Sequence, residues 1–249
     1  MKLAQFYIAK TTIACYNITM QNVEKLKSVL HGINVDVTSE QLEKLSAYFD
    51  MVVEKNKQFN LTAITLEDDF ICKHYEDSVF GASEFENGAR VLDIGCGGGF
   101  PCVPLAIVRG DLQIVGLDST AKKTVFVGDA ALLLGINNLQ TVAGRAEEQK
   151  EMFGTFDAVC ARAVSSLNVL LELAAPMLKV GGEFIAYKTD ESELSAAQNA
   201  LKVLNMRFVR SKVGTLSNGE KRAILVFKKV GETPSKYPRQ YGAIKKKPL

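Results

Sequence analysis

Apolar positions recur at helical spacing over the first third of this chain and in short alternating blocks over the rest. Val23, Leu26, Val29 and Leu30 follow Asn22, which can cap them, and Gly32 ends the run. Thr38 with Gln41 forms a capping-box pattern for a second helix carrying Leu42, Leu45, Phe49, Val52 and Val53, closed by the polar stretch Lys55–Asn60. A third helix is predicted over 67–81, with Gly81 and Gly88 bracketing a loop. From Arg90 onward β-formers take over. Strands are predicted at Arg90–Ile94, Gln113–Leu117, Gln140–Ala143, Ala158–Ala161, Gly182–Tyr187, Phe208–Val213 and Arg222–Phe227, and helices over 101–109, 120–134, 165–178 and 191–204. Such β-α alternation demands a mostly parallel sheet with helices on both faces. Only Gly214–Lys221 joins the last two strands, too short for a crossover helix, so they pair antiparallel as a hairpin. The expected class is therefore α/β: a mostly parallel, seven-stranded sheet with a C-terminal antiparallel hairpin, preceded by a small helical unit. The segments read as an extension at 1–19, a helical unit at 20–85, an α/β domain at 86–235 and a basic tail at 236–249.

Composition adds limits. With 249 residues, 47% hydrophobic and 23% charged, the chain can bury a full core and is not disordered. A net charge of +2 does not by itself mark a nucleic-acid binder. The charge is unevenly spread, however. Acids outnumber bases between Met20 and Arg90, whereas the tail carries Lys236, Arg239, Lys245, Lys246 and Lys247 with no acid. Such a tail is either a solvated end or a phosphate contact. The five cysteines are odd in number and contain no C-x-x-C pair, which suits a reducing, cytoplasmic setting. Two histidines, His31 and His74, cannot assemble a usual zinc site, so no metal is expected. No apolar run is long enough to cross a membrane. Residues 1–19 make a poor signal peptide and read as a loosely ordered extension, with Met20 an alternative start.

The chemistry concentrates in Arg90–Phe100, where a short strand ends in Gly95, Gly97 and Gly99 before Pro101 opens a helix. Side chains are missing where a ligand would have to touch backbone. A dinucleotide fingerprint needs glycine at the first, third and sixth positions, and the sixth falls on Phe100 or Cys102. Both frames fail. Asp93-x-Gly95-x-Gly97-x-Gly99 looks instead like the first motif of Rossmann-like methyltransferases that bind S-adenosylmethionine. In an open parallel sheet, ligands lie across the carboxyl ends of the strands. Asp118 ends the second strand, where its carboxylate can accept ribose hydroxyls or cap the next helix. Gly144-Arg145-Ala146-Glu147-Glu148 follows the third strand, where an adenine ring could meet backbone, or an acidic first turn could simply suit its helix. Arg162 closes the fourth strand and could hold a carboxylate or position a substrate. Lys188 closes the fifth and is otherwise a solvated strand end.

These residues together resemble the bacterial small-subunit (16S) ribosomal RNA guanine-N7 methyltransferases, the RsmG/GidB family. The resemblance rests on Asn56-Lys57 with Asn60-Leu61-Thr62, His74-x-x-Asp77-Ser78, Asp93 through Pro101, Leu117-Asp118-Ser119 with Lys122-Lys123, Gly144 through Glu147, Arg162-Ala163 with Ser166-Leu167, Tyr237-Pro-Arg239 and the Lys247-Pro248-Leu249 ending. It implies a class I methyltransferase fold and S-adenosyl-L-methionine as cofactor. It also implies cofactor contacts at Gly95, Phe100, Ala146, Glu147 and Arg162, to which Gly97 and Asp118 are added from the loop and the strand end. Guanine N7 carries a lone pair and no proton, so methyl transfer needs alignment and no general base. No catalytic acid or base is therefore named, and His74 and Asp77 are read as an ordinary pair on one helix face. The expected partner is 16S ribosomal RNA or the small ribosomal subunit, met by a monomer. Candidates for phosphate contact are Lys122, Lys123, Lys188, Arg207, Arg210 and the tail lysines. Competing readings are methylation of a small molecule or protein, a ribosome-assembly factor that binds the cofactor without transfer, and, least, a dehydrogenase.

Overall fold

A computed structural model describes residues 20–249; the extension expected at 1–19 lies outside them. Seven strands, β1 (Arg90–Ile94), β2 (Gln113–Asp118), β3 (Leu139–Ala143), β4 (Phe156–Arg162), β5 (Leu178–Lys188), β6 (Met206–Thr215) and β7 (Lys221–Lys229), form one sheet in the order β3-β2-β1-β4-β5-β7-β6. β1 to β5 run parallel, and β7 lies antiparallel between β5 and β6. The expected hairpin is present, and the strand order reverses between β1 and β4.

Alternation along the central strands sends side chains to two cores. Val91, Ala158, Cys160, Ile185, Ile224 and Val226 face one core, and Leu92, Ile94, Val159, Ala161, Phe184, Leu225 and Phe227 face the other. The first core also takes in the N-terminal helices α1 (Val23–Gly32), α2 (Ser39–Asn56) and a helical run α3 (residues 67–79), together with α4 (Cys102–Val108) and α5 (Ala121–Leu133). The second is covered by α6 (Leu167–Met177), α7 (Gln198–Val203) and α8 (Tyr241–Lys246). Residues 20–85 thus share their hydrophobic interior with one face of the sheet.

Local chemistry explains most boundaries. Thr38 caps α2 in a full capping box, its hydroxyl accepting from Gln41 N while its own N–H donates to Gln41 Oε1. Asn22 does not cap α1. Its side chain reaches Asp68 and its N–H donates to Glu67, which ties the start of α1 to α3. The helix expected over 67–81 has three parts, Glu67–Phe70, a π-helical turn at Ile71–Glu76, and Asp77–Val79. The helix expected over 191–204 is instead a short turn at Ser192–Leu194, where the Glu193 side chain accepts from Leu167 N and Lys188, followed by α7. The tail is packed: Arg239 makes a two-pronged ion pair with the fully buried Glu172 of α6, and Ile244 of α8 is buried. Among the described residues no helix is long and apolar enough to cross a membrane.

Candidate functional site

The loops after β1, β2, β3 and β4 converge on one cavity of about 420 Å³ at the carboxyl ends of the strands. Gly95, Gly97, Phe100, Asp118, Ala146, Glu147 and Arg162 all line it. The location follows from topology, because neighbouring loops part where strand order reverses, and the volume lies in the usual range for small-molecule sites.

The glycines there have different duties. All three have positive φ (Gly95 +74°, Gly97 +54°, Gly99 +87°). A Cβ on Gly95 would lie 2.6 Å from Val164 Cγ2, and one on Gly99 would collide with the Tyr48 hydroxyl and Val103. A Cβ on Gly97 would meet open space, its nearest neighbour being Gly95 O at 3.9 Å. So Gly95 and Gly99 let the loop pack, while Gly97 presents bare backbone to the cavity. Tyr48 of α2 donates to Gly98 O (2.6 Å) and thereby fixes the loop from the N-terminal unit.

Asp118 ties the glycine loop to the turn that precedes α5, whose N-cap is Thr120 and carries no side-chain cap. Its Oδ1 accepts from Thr120 N (2.8 Å) at the start of α5, and its Oδ2 accepts from Gly97 N (2.9 Å). Each oxygen keeps a lone pair for a ligand hydroxyl. Asp93, fully buried beneath the loop, accepts from Cys102 N at the head of α4, and burial pushes its carboxyl up to about 7. The thiol of Cys102 fits without disturbance, fully buried beside Cys96.

Arg162 organises the other wall. Nη1 donates to Lys73 O (2.7 Å) and Asp77 Oδ2 (2.8 Å), and Nη2 lies 3.0 Å from His74 Nδ1. Asp77 also accepts from Arg222 (2.9 Å). His74 and Asp77 are therefore not an ordinary pair with each other, because the π-helical turn and β4 bring both to Arg162. Burial first, and the Arg162 charge second, push His74 down to about 3, so the imidazole is neutral. It stacks on Phe100 with ring centroids 4.0 Å apart. Arg162 Nε is buried with no partner among the described residues. Next to it Ala163 holds φ +56°, a conformation that a non-glycine residue adopts at a cost and that concentrates at binding sites.

Some expectations need correction. Lys188 is mostly buried, not a solvated strand end, and donates to Ser165 O and Glu193. Arg210 pairs with Glu84 and Glu183. Neither is free for phosphate. Lys123 lines the cavity, as do Leu61, Thr62, His74 and, from the tail, Tyr241. Sequence reasoning missed Thr62 and Tyr241 as cavity residues. The Asn60-Leu61-Thr62 triplet was a usable signal for the first, whereas nothing local marks a tyrosine in a basic tail as a pocket wall.

The cavity suits an adenosyl sulfonium. Gly97 leaves room for close approach to backbone, Asp118 offers acceptors, and the orphaned Arg162 Nε offers a donor for a carboxylate or carbonyl. Among the described residues no group of three or more histidine, cysteine, aspartate or glutamate side chains could hold a metal.

Known proteins resemble this chain in sequence family and in fold. The model of the family GidB, rRNA small subunit methyltransferase G, matches residues 41–231. A "Ribosomal RNA small subunit methyltransferase G" of Lactobacillus helveticus is 39% identical over 239 residues, 92% of this chain and 99% of that protein. One of Streptococcus pyogenes serotype M3 is 41% identical over 224 residues, 86% of this chain and 93% of that protein. Among solved structures, M. jannaschii TYW2 in complex with AdoMet shares the fold (TM-score 0.54, 14% identity, 69% of this chain and 81% of that chain). The [4+2]-cyclase SpnF does as well (TM-score 0.54, 15% identity, 78% and 98%).

Proposed function

This chain belongs to the GidB family of rRNA small subunit methyltransferases, and from that premise we propose that it methylates N7 of a guanine in small-subunit (16S) ribosomal RNA, using S-adenosyl-L-methionine, as a cytoplasmic monomer. The observation that carries the reading is the convergence of Gly97, Asp118, Ala146, Glu147 and Arg162 on one cavity at the reversal of strand order.

The cofactor supplies, when bound, an electrophilic methyl group on a sulfonium sulfur. The chain's own residues have a holding task. Gly95 shapes the loop against Val164, Gly97 would admit the ligand to the loop backbone, and Asp118 would accept from ribose hydroxyls. Ala146 and Glu147 would flank the adenine, and Arg162 Nε would donate to a ligand oxygen. Guanine N7 needs no deprotonation, so the carboxylates that line the cavity, Asp118 and Glu147, need not act as bases, and His74 is neutral with both ring nitrogens engaged. Alignment and exclusion of water then account for the rate. Cations left for RNA phosphate include Lys122, Lys123, Arg207 and the exposed Lys245, Lys246 and Lys247.

The test is transfer of labelled methyl from the cofactor to naked 16S RNA and to small subunits, with N7-methylguanosine mapped by borohydride and aniline cleavage. Incorporation at one guanine supports the reading. Tight cofactor binding with no incorporation into either RNA substrate refutes it and favours a cofactor-binding assembly factor.

A further inference from the structure

Thr62 lies on the cavity wall near Phe100 and Arg162, and its hydrogen bonds leave it only one thing to do. A threonine hydroxyl has one proton to donate and two lone pairs to accept with. Ile64 N donates to Oγ1 (3.0 Å), which occupies one lone pair. The second contact is His74 Nε2 at 2.7 Å, and its direction is fixed from the far side of the ring. Arg162 Nη2, 3.0 Å from Nδ1, can only donate, so Nδ1 accepts. A neutral imidazole then carries its single proton on Nε2 and gives it to Thr62. Both lone pairs of Oγ1 are thereby filled. The hydroxyl proton has no acceptor among the described residues, so it is left for the cavity.

The backbone that carries this hydroxyl is also held in place. Asn56 grips it, Oδ1 accepting from Leu61 N (2.7 Å) and Thr62 N (3.1 Å) while Nδ2 donates to Thr62 O (2.9 Å). A serine or threonine hydroxyl in solution donates or accepts as its neighbour requires. This one is a donor alone.

That polarity matters for base choice. Beside N7, guanine presents the carbonyl acceptor O6, whereas adenine presents an amino donor at the same place. We propose that the Thr62 hydroxyl donates to O6 of the target guanine and so selects guanine over adenine at the methylated position. The inference rests on the guanine-N7 reading above and adds the group that reads the base. Arg162 and His74 are positioning residues for it, since they set the direction of the hydrogen bond without needing to touch the base.

The experiment uses the full-length protein and small-subunit RNA assembled by splinted ligation, with the mapped target guanine kept, or replaced by inosine (O6 retained) or 2-aminopurine (O6 absent, N7 retained). Wild type is expected to methylate guanine and inosine at similar kcat/KM, and 2-aminopurine about 10- to 100-fold more slowly, the range for leaving a donor unpaired in a dry site. Thr62→Val, which keeps shape and removes the hydroxyl, is expected to slow guanine by a similar factor and bring guanine and 2-aminopurine close to parity. Its cofactor affinity by calorimetry should stay within about two-fold, and Thr62→Ser should restore discrimination. A Thr62→Val protein that binds cofactor normally and keeps the wild-type ratio of guanine to 2-aminopurine overturns the proposal. So does a wild-type protein that does not distinguish the two bases. If wild type methylates no guanine in the RNA, the parent reading fails and takes this one with it.

Discussion

Replacing Gly97 and Gly99 singly by alanine should separate binding from folding at two positions of the same loop. Both have positive φ, so each alanine carries a conformational penalty of about 1–2 kcal/mol. For Gly97→Ala that is nearly the whole cost, because the new Cβ projects into open space. At about 2–4 °C per kcal/mol for a chain of this size, Tm should fall by roughly 2–8 °C. Gly99→Ala also forces its Cβ against Val103 Cγ2 at 2.7 Å and into the Tyr48 hydroxyl, which is already committed to Gly98 O. Overpacking adds about 1–3 kcal/mol, so Gly99→Ala should be less stable than Gly97→Ala by about that amount. Cofactor affinity should rank the other way relative to stability. Gly97→Ala, measured by calorimetry at a temperature where it is fully folded, should lose at least about ten-fold, since a methyl group occupies the place where ligand meets backbone. Urea titration gives the stabilities. If Gly97→Ala binds the cofactor as wild type does, or Gly99→Ala is no less stable than Gly97→Ala, the division of labour among these glycines is wrong.

Other expected outcomes follow from single interactions. Tyr48→Phe strands the buried Gly98 carbonyl and should cost about 1–3 kcal/mol in urea unfolding; no loss would mean that the loop does not depend on α2. Arg239→Ala removes the guanidinium from the fully buried Glu172 carboxylate and leaves it only the residue 239 N–H, so residues 240–249 should be removed faster by limited proteolysis, while equal cleavage rates would show that the tail does not depend on the ion pair. His74 titrates near 6.5 when unfolded and about 3 when folded, so the unfolded chain binds the extra proton between those values. Its contribution is complete above 6.5 and declines as pH falls toward 3, by up to about 1.4 kcal/mol per pH unit. The stability gap between wild type and His74→Asn should therefore shrink on acidification, and a gap independent of pH would argue that folding does not lower the pKa of His74. Charge reversal at Lys245, Lys246 and Lys247 should weaken RNA binding and reduce its log–log salt slope by up to about 0.7–0.9 for each phosphate no longer neutralised; an unchanged slope removes the tail from the RNA interface.

Much of this protein is written locally. The capping box at Thr38, the β-formers before Gly95 and the short link between the last two strands are nearest-neighbour facts, so helix, strand and hairpin could be read directly. The ligand loop was legible for the same reason, since closely spaced glycines after a strand have few other uses. The extra length of β5 was not legible, because pairing of Phe156 with Leu178 depends on a neighbouring strand. Nor was the packed tail, whose order comes from Glu172, far away in sequence and hidden inside α6. Arg162 could be placed at a strand end from sequence, yet its partners Lys73, His74 and Asp77 lie more than eighty residues earlier and reach it only when α3 packs over the sheet. Short-range patterns thus determined which elements form and where a ligand must enter. Tertiary packing decided charge and hydrogen-bond direction in the pocket, because burial and a distant guanidinium, not sequence neighbours, fix where the His74 proton sits and leave Thr62 only a donor.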